Sequence, residues 1–275
     1  MMDIVRSRLV PYAMAAFAAA ITLAYLFWRD AGLQPPPVIA FVAPILSLLL
    51  CLASGRFFGW KSAQGKVAHL FALSVGFWLV ADILWYALYG EAIVSPADGF
   101  YLMGYLPLAT GLALAARSLR PKRRILPIAA ILALAALAYL YLFPLGYKSG
   151  LSLAENIFTA GYVIADLLVL LPVILLIYML AGGDWMSGWV LVALGGLFSL
   201  YADLSYAVHP DAYSLGALVD LAWYYGYLLL GLGMWHLAHH SVAGIDRLGS
   251  RESTGWPGTR NKKAGAKVLA CSSLL

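Results

Sequence analysis

Charged residues are scarce in this sequence. Only 11% of its 275 residues are Asp, Glu, Lys or Arg, whereas 63% are hydrophobic. A soluble domain typically has about 25% charged residues, which keep its surface hydrated. The shortage excludes an ordinary water-facing surface, and it is typical of a chain whose outer surface contacts lipid.

Cysteine and the familiar catalytic motifs are also lacking. The two cysteines are Cys51, in an apolar run, and Cys271, in a polar segment, so we expect no disulfide. There is no Walker loop, nucleophile elbow or HExxH motif, and the absence of lysine from the apolar runs excludes a retinal Schiff base. The sequence therefore predicts neither a metal site nor a cofactor.

Long apolar runs are abundant, and eight of them approach the roughly 20 residues that a helix needs to cross a bilayer. The runs are continuous and do not alternate with polar residues, which favours helices over a barrel. We therefore predict an all-α integral membrane protein. The predicted spans are Val10–Trp28, Pro37–Ala53, Val67–Leu88, Asp98–Ala116, Ile125–Phe143, Leu153–Leu180, Ser187–Val208 and Ser214–His240.

Basic residues are distributed unevenly around these spans. If the N-terminus is cytoplasmic, sixteen of the 18 lysines and arginines lie on the inner side and only Arg29 and Lys148 on the outer side. Cytoplasmic loops of membrane proteins carry this excess. The net charge of +5 thus indicates orientation in a cell membrane, with the bilayer as the partner, and not a nucleic-acid surface. Both termini are predicted to be cytoplasmic.

The chain divides into a membrane domain, residues 1–245, and a basic, glycine-rich tail, residues 246–275, that we predict to be disordered. The membrane domain repeats itself at about 121 residues. Ala-Asp recurs at Asp82 and Asp203, and Asp-x-x-aromatic-x-x-Gly-Tyr recurs at Asp98 and Asp220. An even number of spans separates the copies, which predicts two parallel four-helix repeats at about 10–120 and 125–240.

Carboxyl groups inside the spans are the most informative residues. Each costs at least about 2.5–3.5 kcal/mol at bilayer depth. No basic residue inside a span neutralises them, so they must be protonated, hydrogen-bonded, hydrated or bound to a cation. Most are predicted to lie in the outer half of the membrane. Four are inside spans and two at the outer starts of spans: Asp82, Asp166, Asp203 and Asp220, with Asp98 and Glu155.

Aromatic residues accompany the carboxyl groups at helical spacing. Their hydroxyl groups can donate to a carboxylate and their rings can hold a cation or a flat ligand, which predicts a pocket. The alternatives are an interfacial aromatic belt, helix capping by Asp98 and Glu155, and hydrogen bonds between helices. The predicted ligand-binding residues are Asp82, Tyr86, Asp98, Tyr101, Tyr105, Asp166, Asp203, Asp220, Trp223 and Tyr227.

The stretch SPADGFYLMGYLPLATGLAL resembles a PS-x-AD-x-x-YL-x-x-YPL stretch of multi-helix membrane regions in bacterial and archaeal sensor histidine kinases and diguanylate cyclases. AGYVIADLLVLLP, with Tyr162 and Asp166, is similar to the same regions. The likeness covers most of Val67–His240 and implies an input module for an unknown signal. No kinase or cyclase domain follows, so we expect a truncated sensor, one that acts alone, or one with a separate output partner. The matching positions are Ser95, Pro96, Ala97, Asp98, Tyr101, Leu102, Tyr105 and Pro107, with one residue inserted before the proline.

A second resemblance is to the YhhN-like family, which includes lysoplasmalogenases. GGLFSLYADLSYAV is similar to the seventh span of that family, although Ala-Asp stands where Gly-Asp or Ser-Asp is expected. This resemblance implies catalysis by Asp82 and Asp203, since two carboxyl groups can supply the proton donor and position the water for vinyl-ether hydrolysis. Three functions therefore stay open: a non-enzymatic sensor-like module for a small or lipidic ligand, which we favour, an ether-lipid hydrolase, and a small transporter.

Overall fold

The computed structural model describes residues 2–33, 38–88, 95–118, 140, 149–150, 152–180, 183, 185–208, 213 and 216–253. Within these ranges the regular structure is helical, with no strand. The helices are α1 Met2–Arg6, α2 Val10–Asp30, α3 Val38–Phe58, α4 Ala63–Leu88, α5 Pro96–Ser118, α6 Leu153–Met179, α7 Met186–Val208 and α8 Asp220–Ser253.

Six helices of the described chain, α2 to α7, are long and apolar enough to cross a membrane. Their number and length are those of a multi-pass membrane protein. They coincide with six of the eight predicted spans to within five residues at either end. The predicted span Ile125–Phe143 lies outside the described residues except for Leu140, and Cys271 lies outside them entirely.

The last helix differs from its prediction at both ends. It begins at Asp220 and not at Ser214, because Gly216 has a positive φ of 88° and its N–H donates to the Asp220 carboxylate at 2.9 Å. It continues to Ser253, so residues 246–253 of the predicted disordered tail are helical. No proline precedes Pro257 in this segment, and extending an existing helix costs little compared with starting one. Residues 254–275 lie outside the described chain.

Helices α3 to α8 form a ring. Their main contacts run from α3 to α4, α5, α6, α7 and α8 in turn, and α8 also contacts α3. The short helix α1 packs against α3 and α8, where Trp235 Nε1 donates to the carbonyl oxygen of Ile4 at 2.9 Å. Helix α2 packs on the outside of α8 through a Thr22–Tyr225 hydrogen bond and a Tyr25–Tyr224 hydrogen bond of 2.9 Å. The ring thus encloses a space that α1 and α2 do not enter.

Glycines bring α7 and α8 unusually close. A Cβ atom on Gly195 would lie 2.8 Å from the carbonyl oxygen of Gly226, closer than such atoms approach in proteins. We expect Gly195→Ala to lower the free energy of unfolding by about 1–3 kcal/mol, because the backbones must separate. Thermal unfolding of the purified protein in detergent micelles measures the effect.

Gly76, inside α4, supplies the matched control because a Cβ atom there would meet nothing within 4 Å. Gly76→Ala should leave the stability unchanged or raise it by up to about 1 kcal/mol through better helix propensity. An equal melting temperature for the two alanine variants would contradict the close packing at Gly195.

Candidate functional site

The ring of helices surrounds a cavity of about 840 Å³, and each of α3 to α8 contributes to its wall. All ten residues predicted from the sequence to bind a ligand lie on this wall. The volume falls in the range of about 300–1,000 Å³ that is typical of ligand pockets. The structure therefore brings together side chains that are up to 145 residues apart in the chain, as Asp82 and Tyr227 are.

Asp82 is held by two tyrosines. The Tyr101 hydroxyl of α5 donates to Oδ1 at 2.6 Å, and the Tyr227 hydroxyl of α8 donates to Oδ2 at 3.1 Å. Both carboxylate oxygens therefore have a donor. Three helices meet at this group, and the two hydrogen bonds offset its burial in the bundle.

Asp203 is held in a similar way but has an additional acidic neighbour. Trp223 Nε1 donates to Oδ1 at 2.7 Å, and the Tyr105 hydroxyl approaches Oδ2 at 3.4 Å. The same hydroxyl is 2.6 Å from Asp166 Oδ1. The Asp166 and Asp203 carboxyl groups, from α6 and α7, are therefore neighbours, because one Tyr105 hydroxyl contacts both.

The contacts of Asp82 and Asp203 correspond through the sequence repeat. In each copy of the Asp-x-x-aromatic-x-x-Gly-Tyr motif, the aromatic residue three positions after the aspartate donates to the aspartate of the preceding helix. Tyr101 donates to Asp82, and Trp223 donates to Asp203. Seven residues after the motif aspartate, a tyrosine hydroxyl contacts the aspartate of the other copy. These crossed contacts are Tyr227 to Asp82 and Tyr105 to Asp203.

Three carboxyl groups lie in the first turns of their helices. Glu155 and Ser152 form a capping box at the start of α6, which confirms the capping interpretation for Glu155. Asp98 caps α5, accepting from the Ser95 N–H at 2.7 Å, and it also accepts from the Tyr162 hydroxyl at 2.5 Å. Asp220 accepts from the Tyr213 hydroxyl at 2.9 Å as well as from Gly216. Capping and membership of the cavity wall are therefore compatible.

Three aromatic residues of the wall share a predicted helix face with a carboxyl group but are not among the ten predicted ligand-binding residues: Trp78, Tyr162 and Tyr224. Tyr162 lies one helical turn before Asp166. Trp78 contacts the two tyrosines that reach the aspartate of the other copy. Its ring centre lies 5.4 Å from that of Tyr105 and 6.0 Å from that of Tyr227. Tyr224, which accepts a hydrogen bond from the Tyr25 hydroxyl of α2, is also part of the wall.

The cavity is polar at one end and apolar at the other. Leu108 and Leu230 lie ten residues beyond Asp98 and Asp220, which places them about 15 Å deeper along their helices. Together with Val169 and Val192 they form the apolar floor. Among the described lining residues there are six carboxyl groups and no Lys, Arg or His: Asp82, Asp98, Glu155, Asp166, Asp203 and Asp220.

A scan against protein-family models, a search of curated proteins and a search of solved structures each returned no match. The resemblances to sensor membrane regions and to the YhhN-like family therefore stay predictions.

Proposed function

We propose that this chain is a membrane module that binds a small or lipidic ligand inside its helix ring, in the manner of a sensor input region. The observation that carries the proposal is the 840 Å³ cavity, whose wall combines carboxyl and aromatic side chains from five helices above an apolar floor. Small-molecule sites have this make-up of apolar lining with a few convergent polar groups.

The open volume argues against a purely structural role for the carboxyl groups. Hydrogen bonds that only join helices require close contact, and protein interiors contain few voids larger than a water molecule. The described chain does pack in that way below the cavity, where Phe71, Leu112 and Leu176 are fully buried. A ring that closes around 840 Å³ instead leaves room for an occupant.

We further propose eight spans in two parallel repeats, with cytoplasmic termini and the polar end of the cavity facing outward. The sixteen-to-two distribution of basic residues supports this orientation. The crossed contacts of Tyr105 and Tyr227 support the repeat, as do equivalent close approaches within each half. Ser74 Oγ donates to the Gly104 carbonyl at 2.7 Å, and Gly195 abuts Gly226 at the corresponding positions.

A cavity-filling variant tests the binding proposal. Val169 lines the cavity, whereas its neighbour Leu168 is 48% exposed on the outer surface of the ring. We expect Val169→Trp to weaken ligand binding at least about tenfold, since the indole occupies space the ligand needs. Leu168→Trp should retain binding. The measurement is ligand-induced thermal stabilisation with a panel of hexyl compounds bearing ammonium, trimethylammonium, hydroxyl and carboxylate groups.

If the binding proposal is correct, at least one compound of the panel or one short-chain lipid raises the melting temperature of the parent protein and of Leu168→Trp more than that of Val169→Trp. The absence of any such compound contradicts the proposal. Circular dichroism in the same micelles shows that the two tryptophan variants are folded. The comparison thus separates loss of the cavity from loss of the fold.

The second candidate, an ether-lipid hydrolase, is favoured by one observation: the carboxyl groups of Asp166 and Asp203 are neighbours. Adjacent carboxyl groups can divide the acid and base roles of hydrolysis. Asp166 shares the Tyr105 hydroxyl with Asp203, whereas Asp82 is held by Tyr101 and Tyr227. Aldehyde release from a lysoplasmalogen that disappears in Asp203→Asn would establish the hydrolase, and its absence from the parent protein would leave the binding module.

A further inference from the structure

Asp166 has an unmet hydrogen-bonding requirement at the cavity. Its side chain is 4% exposed, and its Oδ1 accepts from Tyr105 at 2.6 Å. Its Oδ2 is buried and receives no hydrogen bond from the described chain. The Tyr105 hydroxyl also contacts Asp203, whose carboxyl group can only accept when it is ionised. Two ionised carboxyl groups cannot satisfy each other, so a donor belongs between them.

The corresponding half of the cavity has no such deficit. Both Asp82 oxygens receive a tyrosine hydroxyl, from Tyr101 and Tyr227, and among the described residues no second carboxyl group is hydrogen-bonded there. The position equivalent to Asp166, about 121 residues earlier, falls at Ile45 in α3. The unmet acceptor therefore arises from a departure from the repeat at a single position.

We propose that the cavity binds a protonated primary or secondary amine, with its ammonium group between Asp166 and Asp203 and its hydrocarbon body on the apolar floor. This inference rests on the proposed binding function and specifies its ligand class. An ammonium N–H satisfies Asp166 Oδ2, and its positive charge offsets one of the two negative charges of the pair. A quaternary ammonium has no N–H to donate. A proton shared by the two carboxyl groups would satisfy them but would leave the apolar floor without a ligand.

The surroundings of the acid pair fit this ligand. The Tyr105 hydroxyl contacts both carboxyl groups and the Trp223 N–H donates to Asp203, so the cavity wall itself holds the pair in place. Val169 lies one helical turn beyond Asp166, so the charged group and the apolar floor are adjacent. An amine with an alkyl chain can come from two sources, a free alkylamine or the headgroup of an aminolipid.

Purified protein in non-ionic detergent should be titrated with hexylamine, hexanol and hexyltrimethylammonium by calorimetry. We expect hexylamine to bind at least about tenfold more tightly than the other two, which is the value of one hydrogen bond to a charged group. A short-chain phosphatidylethanolamine, compared with phosphatidylglycerol of the same chains, distinguishes the lipid source from the free amine. Tighter binding of hexylamine than of the other two hexyl compounds, or of phosphatidylethanolamine than of phosphatidylglycerol, supports the inference.

Asp166→Asn, which keeps the shape and removes the charge, should weaken hexylamine binding by about tenfold or more and hexanol binding by a smaller factor, since a hydrogen bond to a neutral group is weaker than one to a charged group. Asp82→Asn, the repeat-related change, should weaken hexylamine binding by a smaller factor, since only a distant charge is lost. Equal affinity for hexylamine and hexyltrimethylammonium would overturn the inference even if Asp166→Asn did not fold. So would equal losses in the two asparagine variants.

Failure of the amine inference and failure of the binding proposal are distinguishable. If hexanol, a carboxylate or phosphatidylglycerol binds best, and Val169→Trp abolishes that binding, the cavity is a site but the amine inference is overturned. If Val169→Trp affects none of the compounds, both are overturned.

Discussion

Phe71→Ala should lower the free energy of unfolding by about 3–5 kcal/mol, the largest stability change we expect from a single truncation in the described chain. Phe71 is fully buried at the middle of α4, where its ring meets the edge of Trp189 with centres 6.2 Å apart. A Cβ atom on Gly111 would lie 2.9 Å from the ring, so α5 packs directly on it. Removing the ring leaves a hole among three helices that cannot close without moving them.

Leu73, two residues further along α4 and 51% exposed, is the control. Lipid chains are as apolar as leucine and can fill the gap that Leu73→Ala leaves, so we expect a change within about 0.5 kcal/mol. Reversible unfolding in mixed micelles measures both variants. Similar losses at the two positions would mean that Phe71 is not a core residue of the ring.

The lengths and places of the helices were predictable because membrane solvent imposes them. A backbone in lipid must satisfy its own hydrogen bonds, so each apolar run of sufficient length becomes a helix. The ends were less predictable, as at Asp220. There a glycine in the left-handed region and a side-chain hydrogen bond move the start of the helix from Ser214 to Asp220.

The residues of the cavity wall were predictable for a related reason. A carboxyl group is so costly in an apolar helix that its presence indicates an interior, hydrated or ligand-facing position. Which carboxyl groups become neighbours was not predictable, because the rotation of one helix against another depends on packing. The sequence repeat directs attention to Asp82 and Asp203, whereas the structure places Asp166, which has no acidic counterpart in the repeat, beside Asp203.

Asp166→Lys should abolish amine binding, weakening hexylamine by at least about a hundredfold. The flexible lysine side chain can place its own ammonium against Asp203, where the ligand's ammonium is proposed to lie. Juxtaposed like charges cost several kcal/mol, and each 1.4 kcal/mol is a factor of ten in affinity. Calorimetric titration of the variant with hexylamine measures this loss, and hexylamine affinity within tenfold of the parent would contradict it.

Asp166→Leu is the control for Asp166→Lys. It shows whether the lysine variant loses binding because its own ammonium takes the place of the ligand's, or only because the Asp166 carboxyl group is gone. It removes the same carboxyl group but provides no cation, while Asp203 keeps its hydrogen bonds from Trp223 and Tyr105. If the ammonium of the lysine variant pairs with Asp203, that variant should melt at a higher temperature than Asp166→Leu. Without such pairing, an uncompensated lysine in the ring would make it the less stable of the two. The order of the two melting temperatures therefore shows whether an ammonium group is accommodated between these helices, independently of any added ligand.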